Sequence, residues 1–405
     1  MPAVQGALAG FQVLDLTRVL AGPWCGMLLA DLGADVIKVE SPQGDDTRGW
    51  GPPFVGGESA YFLGCNRGKR GVAIDFSSAA GKLLLHRLLL NADVVLDNFK
   101  SGTLARWGFD DGWFDVHAPR VVRCSITGYG AEGERAGMPG YDFILQAESG
   151  LMSICGPADG PSSKYGVAVV DMATGMMAAN AVQAALLARV RTGRGQQVEV
   201  SLYDTSLALL ANVGNSHLAT GKPARRFGNG HPTIVPYTTF GCADGAIAIA
   251  VGNDSQFARL AALLGAPEWA TDPRFARNSD RVANREAIET SIEARTRELH
   301  SDMLLARLRE AGIPCGRVNS VAQALADPLA VERGMVREQV HPEAGTFRTL
   351  GAPLRLADTP VQAGKPPPRL GEHTLEVLRD VLGLSAAEIS SLAGQGVVLL
   401  LQESK

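Results

Sequence analysis

The 405-residue sequence predicts an α/β protein with a large Rossmann-like domain and a smaller α+β domain. Two observations set the fold class. The first half alternates short β-branched or leucine-rich runs with amphipathic helical stretches, the pattern of a parallel sheet covered by helices. A breaker-rich, basic stretch, Gly221–Pro232, then interrupts that rhythm, and behind it come two strand-like runs and several short helices. The domain boundary is therefore expected near Gly221.

In chain order, the expected strands of the large domain are Gln12–Leu16, Asp35–Glu40, Gly71–Asp75, Asp93–Leu96, Val121–Ser125 and Gln197–Ser201. Trp24–Leu32 and Ser78–Asn91 read as helices between them, the latter with a broad leucine face. A long Ala-rich helix is expected from Asp171, followed by another over Leu202–Ala219. In the smaller domain, Tyr237–Cys242 and Ala246–Val251 read as strands, and Ser255–Leu264, Arg285–Leu299 and Ser301–Ala311 as helices. The tail ends in a helix pair, Thr374–Leu382 and Ser385–Ala393. In such a fold, ligands gather at the carboxyl ends of the strands.

Composition narrows the function. A hydrophobic content of 46%, 20% charged residues and a net charge of −4 describe a globular protein and argue against general nucleic-acid binding. The six cysteines form no CxxC pair and no zinc-like spacing, so no metal site is expected and the thiols read as buried in a reducing cytosol. Met172–Ala188 is uncharged but too short to span a bilayer. Small molecules and further copies of the chain are the expected partners, with no nucleic acid or membrane.

Several motifs carry chemistry. Gly128-Tyr-Gly-Ala-Glu-Gly133 matches a dinucleotide fingerprint, but the residues after it continue as loop instead of opening the helix that such a site needs. Asp171 ends a β-branched run and begins the long helix, where unpaired N–H groups and the positive end of the dipole favour an ionised carboxylate. A helix N-cap explains that placement as well as a nucleophile does. Asn66–Arg70 is a basic loop ahead of a strand, readable as a solvated turn or, through Lys69 and Arg70, as a phosphate clamp. Asp97, Asn98 and Phe99 end another strand at the same edge, with Arg106 shortly after.

Taken together, Leu14–Pro23, Gly33–Glu40, Asp97–Phe99, Ser125–Gly130, Asp171 with its helix, Thr192–Gln196 and Leu370–Thr374 resemble the class III CoA-transferase family, which contains formyl-CoA transferase and the carnitine CoA-transferases. The resemblance runs nearly end to end. It implies that residues 1–222 begin the large domain, 223–325 form the small one and 326–405 return to complete the large one, with two chains interlocked as a homodimer. It also implies that Asp171 attacks an acyl-CoA thioester to give a mixed anhydride and then an aspartyl-CoA thioester. Coenzyme A is then a substrate, not a resident cofactor. Carried over by position, Val19 and Leu20 line the CoA cleft, Lys69, Arg70 and Arg106 lie near its phosphates, and Asp97, Asn98 and Phe99 border its adenosine or pantetheine. Tyr141 and Asp142 approach the acyl end. Leu20 and Asp142 depart from formyl-CoA transferase, which has Gln and Glu there, so formate or oxalate specificity does not carry over. Gly228, Gly230 and His231 stand where that family has a glycine run.

Two alternatives remain at this stage: an α-methylacyl-CoA racemase and a non-catalytic CoA-binding protein. Racemases of the superfamily have a His where this chain has Tyr141, so the second acid–base group is missing. Thr47–Phe54, Gly140–Asp142, Ser149–Met152 and Arg226–Tyr237 resemble the succinyl-CoA:glutarate branch. For the far carboxylate of a dicarboxylate, Arg48, Arg225, Arg226 and His231 are the candidate cations.

Overall fold

A computed structural model describes residues 5–362 and 364–401. These divide into two compact units: the residues up to Leu151 with Tyr165–Asn215 and those from Leu329 onward, and Met152–Lys164 with Ser216–Pro328.

The first unit is built on six parallel strands: β1 (Gln12–Asp15), β2 (Asp35–Glu40), β3 (Lys69–Ala73), β4 (Val94–Asp97), β5 (Val122–Thr127) and β6 (Gln197–Ser201). Their spatial order is 3-2-1-4-5-6, the doubly wound arrangement, so the winding reverses between β1 and β4. Neighbouring residues on one strand face opposite cores. Leu14, Ile37 and Val95 pack with the leucines of helix Ala79–Asn91, whereas Val13, Val36 and Val94 pack against helix α1 (Ala21–Asp31) and the long helix Val169–Thr192. Gly175 lets those two helices meet, because a Cβ there would stand 2.5 Å from the Ala21 carbonyl oxygen. The chain's last segment closes the β3 edge: the Thr374 hydroxyl accepts the Ala73 N–H at 3.1 Å, and Val398 bridges Ile74.

β2 and β6 lie where expected. β3 begins two residues earlier than expected, at Lys69. The helix expected over Leu202–Ala219 is broken into Leu202–Ala208 and Ala211–Thr220, with Ala211 at φ 44°.

The second unit holds a three-stranded antiparallel sheet, Tyr237–Cys242, Gly245–Ala250 and Cys315–Arg317. One of its faces buries Phe240, Ile247 and Ile249 against helices Asp254–Leu263, Arg285–Thr296 and Ser301–Glu310. Among the described residues no helix is long and apolar enough to cross a membrane.

Candidate active site

The site forms where the winding of the sheet reverses. The chains leaving β1 and β4 are tied together there: the Arg18 N–H donates to Asn98 Oδ1 at 3.0 Å, and Asn98 Nδ2 donates to the Arg18 carbonyl at 2.8 Å. Val19 follows with φ 72°, a left-handed backbone that strains a β-branched residue and that recurs at functional sites. A cavity of about 240 Å³ opens beside this turn, lined by Arg18, Val19, Leu20, Asn98, Phe99, Lys100, Tyr141 and Asp171. The loop Gly128–Tyr141 forms one wall and carries no helix, so the GxGxxG match lacks the helix a pyrophosphate would need.

Asp171 is not the cap of its helix. That helix starts at Val169, after Ala168, which places Asp171 inside the first turn. Capping comes instead from Asp142, at the start of helix α2 (Asp142–Glu148): its Oδ1 accepts the Val170 N–H at 2.8 Å and the Asp171 N–H at 3.4 Å. Asp142 is brought within reach by a close crossing of Gly128 and Gly140, where a Cβ on Gly140 would lie 2.5 Å from the Gly128 Cα. Its Oδ2 accepts from Gln146 Nε2 at 2.7 Å.

The consequence is electrostatic. Asp142 takes the free N–H groups, and the Asp171 carboxylate has no hydrogen-bond or ion-pair partner among the described residues. Burial, with the Asp142 charge second, lifts its pKa from the ordinary carboxylate value to about 7. The expectation that the helix end favours an ionised Asp171 is thereby corrected: the N–H groups that would have favoured it already serve another acid. Tyr61, whose hydroxyl is pushed up by burial and then by Asp171, lies within the same field.

Other expected residues lie elsewhere. Lys69 is fully buried, and its ammonium donates to Asp15 Oδ2, the Pro23 carbonyl and Asn66 Oδ1, each at 2.8 Å. It therefore has no donor left for a phosphate. Arg70 pairs with Asp35 and Glu376, and Asp35 begins β2, so it sits at the amino edge of the sheet, opposite the cavity. Both residues expected in the phosphate clamp are thus held by internal partners. Arg48 grips Glu40 through two bonds of 2.8 Å and stacks on Phe62, which commits it internally instead of to a substrate carboxylate. Arg106 bonds Thr103 Oγ1 at 2.7 Å within its own short helix and is not among the cavity-lining residues. Asp97 lies behind Phe99, where it accepts from the Ser125 hydroxyl at 2.8 Å; burial, offset in part by that bond, lifts its pKa to about 6.

Gly228, Gly230 and His231 belong to the second unit, where the His231 ring lies 5.3 Å from that of Tyr237 and Nδ1 accepts the Thr233 N–H at 3.2 Å. Arg226 there binds the carbonyls of Ser153, Pro157 and Gly160, and Arg225 stacks on Phe227. The sequence reading missed Arg18 and Lys100, the cations that line the cavity. Arg18 stands between Thr17 and Val19, in the turn that follows strand β1, and that position was the available signal.

A family model described as CoA-transferase family III matches residues 8–374. The chain belongs to that family. This class III CoA-transferase is 43% identical to the succinate–glutarate CoA-transferase of Agrobacterium fabrum, over 94% of this chain and 97% of that one. It is 39% identical to the succinyl-CoA:mesaconate CoA-transferase of Haloarcula hispanica, over 92% and 96% of the two chains. Among solved structures, a CAIB/BAIF family protein from Brucella suis matches with a TM-score of 0.84 and 45% identity, covering 93% of this chain and all of the other. The enzyme's substrates are accordingly an acyl-CoA and a carboxylic acid.

Proposed function

We propose that this enzyme transfers CoA from succinyl-CoA or a similar donor to a free dicarboxylate such as glutarate, with Asp171 as nucleophile. The observation that carries the reading is an unpartnered carboxylate in the switch-point cavity, raised to a pKa of about 7 and so more nucleophilic than an ordinary aspartate once ionised. Its oxygen attacks the thioester carbonyl and expels CoA thiolate, leaving a mixed anhydride. The thiolate then attacks the Asp171 carbonyl, which releases the first acid and leaves an aspartyl-CoA thioester. The acceptor carboxylate attacks that thioester and expels the thiolate again. Attack of the thiolate on the acceptor's acyl carbon yields the new acyl-CoA and frees Asp171.

The mesaconate and glutarate relatives support a dicarboxylate as acceptor. Arg18 is the cation that suits its far carboxylate: its backbone is fixed by Asn98, whereas its exposed guanidinium holds Asp46 only at 3.4 Å. Tyr141, 59% exposed beside the cavity, stands where a racemase supplies an acid–base histidine, which favours transfer over racemisation. A homodimer belongs to the same reading. Helix Val169–Thr192 leaves Met176, Met177, Leu187 and Val190 exposed, an apolar face suited to a second copy of the chain.

The test is incubation with succinyl-CoA and a panel of free mono- and dicarboxylates, following new CoA thioesters by mass. Exchange confined to dicarboxylates supports the proposal; no exchange with any acid overturns it.

A further inference from the structure

Behind Asp171 runs a connected set of hydrogen bonds that the transfer chemistry itself does not use. The Tyr165 N–H donates to Gln146 Oε1 at 2.7 Å, Gln146 Nε2 donates to Asp142 Oδ2 at 2.7 Å, and Asp142 Oδ1 accepts from Val170 at 2.8 Å and Asp171 at 3.4 Å. Gln146 is 1% exposed and Asp142 8%, so water does not substitute in the bond between them. The orientation of the amide is fixed, because its oxygen must face an N–H and its nitrogen a carboxylate. The chain brackets Gly166–Ala168, the turn leading into the nucleophile's helix, from both sides.

We infer that Gln146 is a positioning residue for the transfer reaction, holding Asp142 by its Oδ2 so that Oδ1 stays on the two N–H groups of the helix N-terminus and the Asp171 carboxylate is left oriented and without a partner. The inference rests on Asp171 being the nucleophile. An amide is the side chain that fits: a leucine would leave the buried Asp142 Oδ2 without its donor, and an ionised glutamate would set two acceptors against each other. A protonated glutamate, in contrast, copies the amide, with its O–H toward Asp142 and its carbonyl toward Tyr165. Among the described residues, the ionisable groups whose interaction with Asp171 is resolved are Asp142 on α2, whose charge acts on it directly, and the Tyr61 hydroxyl on helix Ala60–Cys65. The pH dependence of the reaction therefore reports on the relay.

The experiment measures pH profiles of kcat/KM for CoA transfer, together with the yield of hydroxylamine-trappable adduct, for the full-length wild type, Gln146→Glu and Gln146→Leu. Wild type is expected to rise through a single limb near neutrality. In Gln146→Glu a second, descending limb appears as the new acid ionises, with near-wild-type rates at the acidic end. Gln146→Leu loses roughly 10- to 100-fold in kcat with little change in KM for the acyl-CoA, the pattern of a lost positioning contact. Should Gln146→Leu fail to fold, the descending limb of Gln146→Glu remains the deciding observation. An adduct in wild type with a Gln146→Glu profile superimposable on it would overturn the relay alone. Absence of any Asp171-dependent adduct in wild type would overturn the nucleophile reading instead.

Discussion

Two aspartates of the first unit, Asp15 on strand β1 and Asp171 in the first turn of helix Val169–Thr192, are treated in opposite ways. Asp15, at the end of β1, is completely enclosed, yet Lys69 and Lys38 outweigh the effect of burial and hold its pKa below the ordinary value. It also accepts from Thr17, and Lys38 is neutralised in turn by Asp45 at 3.0 Å. Asp171 is also largely enclosed, but burial meets no opposing cation and a second acid adds to it, so its pKa rises to about 7. The contrast separates structure from the proposed chemistry: a carboxylate closed in by donors holds the fold together, and one deprived of donors is, on the proposed reading, kept reactive. The stability effects carry opposite signs. Asp15 stabilises the fold above the unfolded carboxylate pKa, and that contribution is lost as pH falls through its lowered value. Asp171 imposes no cost below pH about 4, where it is protonated folded or unfolded, an increasing one between about 4 and 7, and the full cost above.

The sharpest way to break the contrast is to exchange roles by mutation. Asp171→Asn is expected to lower transfer by at least about 10³-fold, since the covalent route disappears. The same variant should be more stable than wild type at pH 8, by roughly 1–4 kcal/mol, with the gain vanishing toward pH 4. Urea melts at both pH values decide this, and a variant less stable than wild type at pH 8 would show that Asp171 has a hidden partner. Lys69→Met should do the reverse, stranding Asp15 and lowering stability by about 3–5 kcal/mol at pH 7. If Lys69→Met instead keeps the wild-type melt and raises KM for acyl-CoA alone, the lysine serves the substrate after all.

A smaller effect is expected at the cavity mouth. Arg18→Gln should raise KM for a free dicarboxylate about 10-fold and leave a monocarboxylate of equal length unaffected, in keeping with one charge-assisted contact. Equal losses for both acids would return Arg18 to the CoA side of the cleft. Smallest is Val19→Gly, which relieves the left-handed strain and should raise stability by about 1 kcal/mol, read as a shift in the urea midpoint.

Much of the fold was legible from periodicity. The ranges of β2 and β6 were read correctly, and so was the helix of leucines that covers one face, because apolar side chains at these positions face a core. Charge was where the reading failed. Asn66–Arg70 looks solvated because it is polar, yet Lys69 begins a strand and is sealed among partner groups up to 54 residues away in sequence. Hydropathy cannot register a charge neutralised at that distance. The site was half legible for the same reason. Asp171 stood out beside its helix, but the acid that caps the helix lies 29 residues earlier, on another element. Arg18 went unremarked because one cation after a strand carries no weight until the sheet order shows that β1 and β4 are neighbours at the reversal.

The central claim is that Asp171 is left without partners so that it can carry an acyl group and then CoA. Peptide mass mapping after brief incubation of the enzyme with succinyl-CoA tests it most directly. The account predicts CoA joined through a thioester to the peptide containing Asp171, removed by hydroxylamine and absent from Asp171→Asn. Rapid CoA exchange with that peptide unmodified, or with the adduct on another residue, would contradict it.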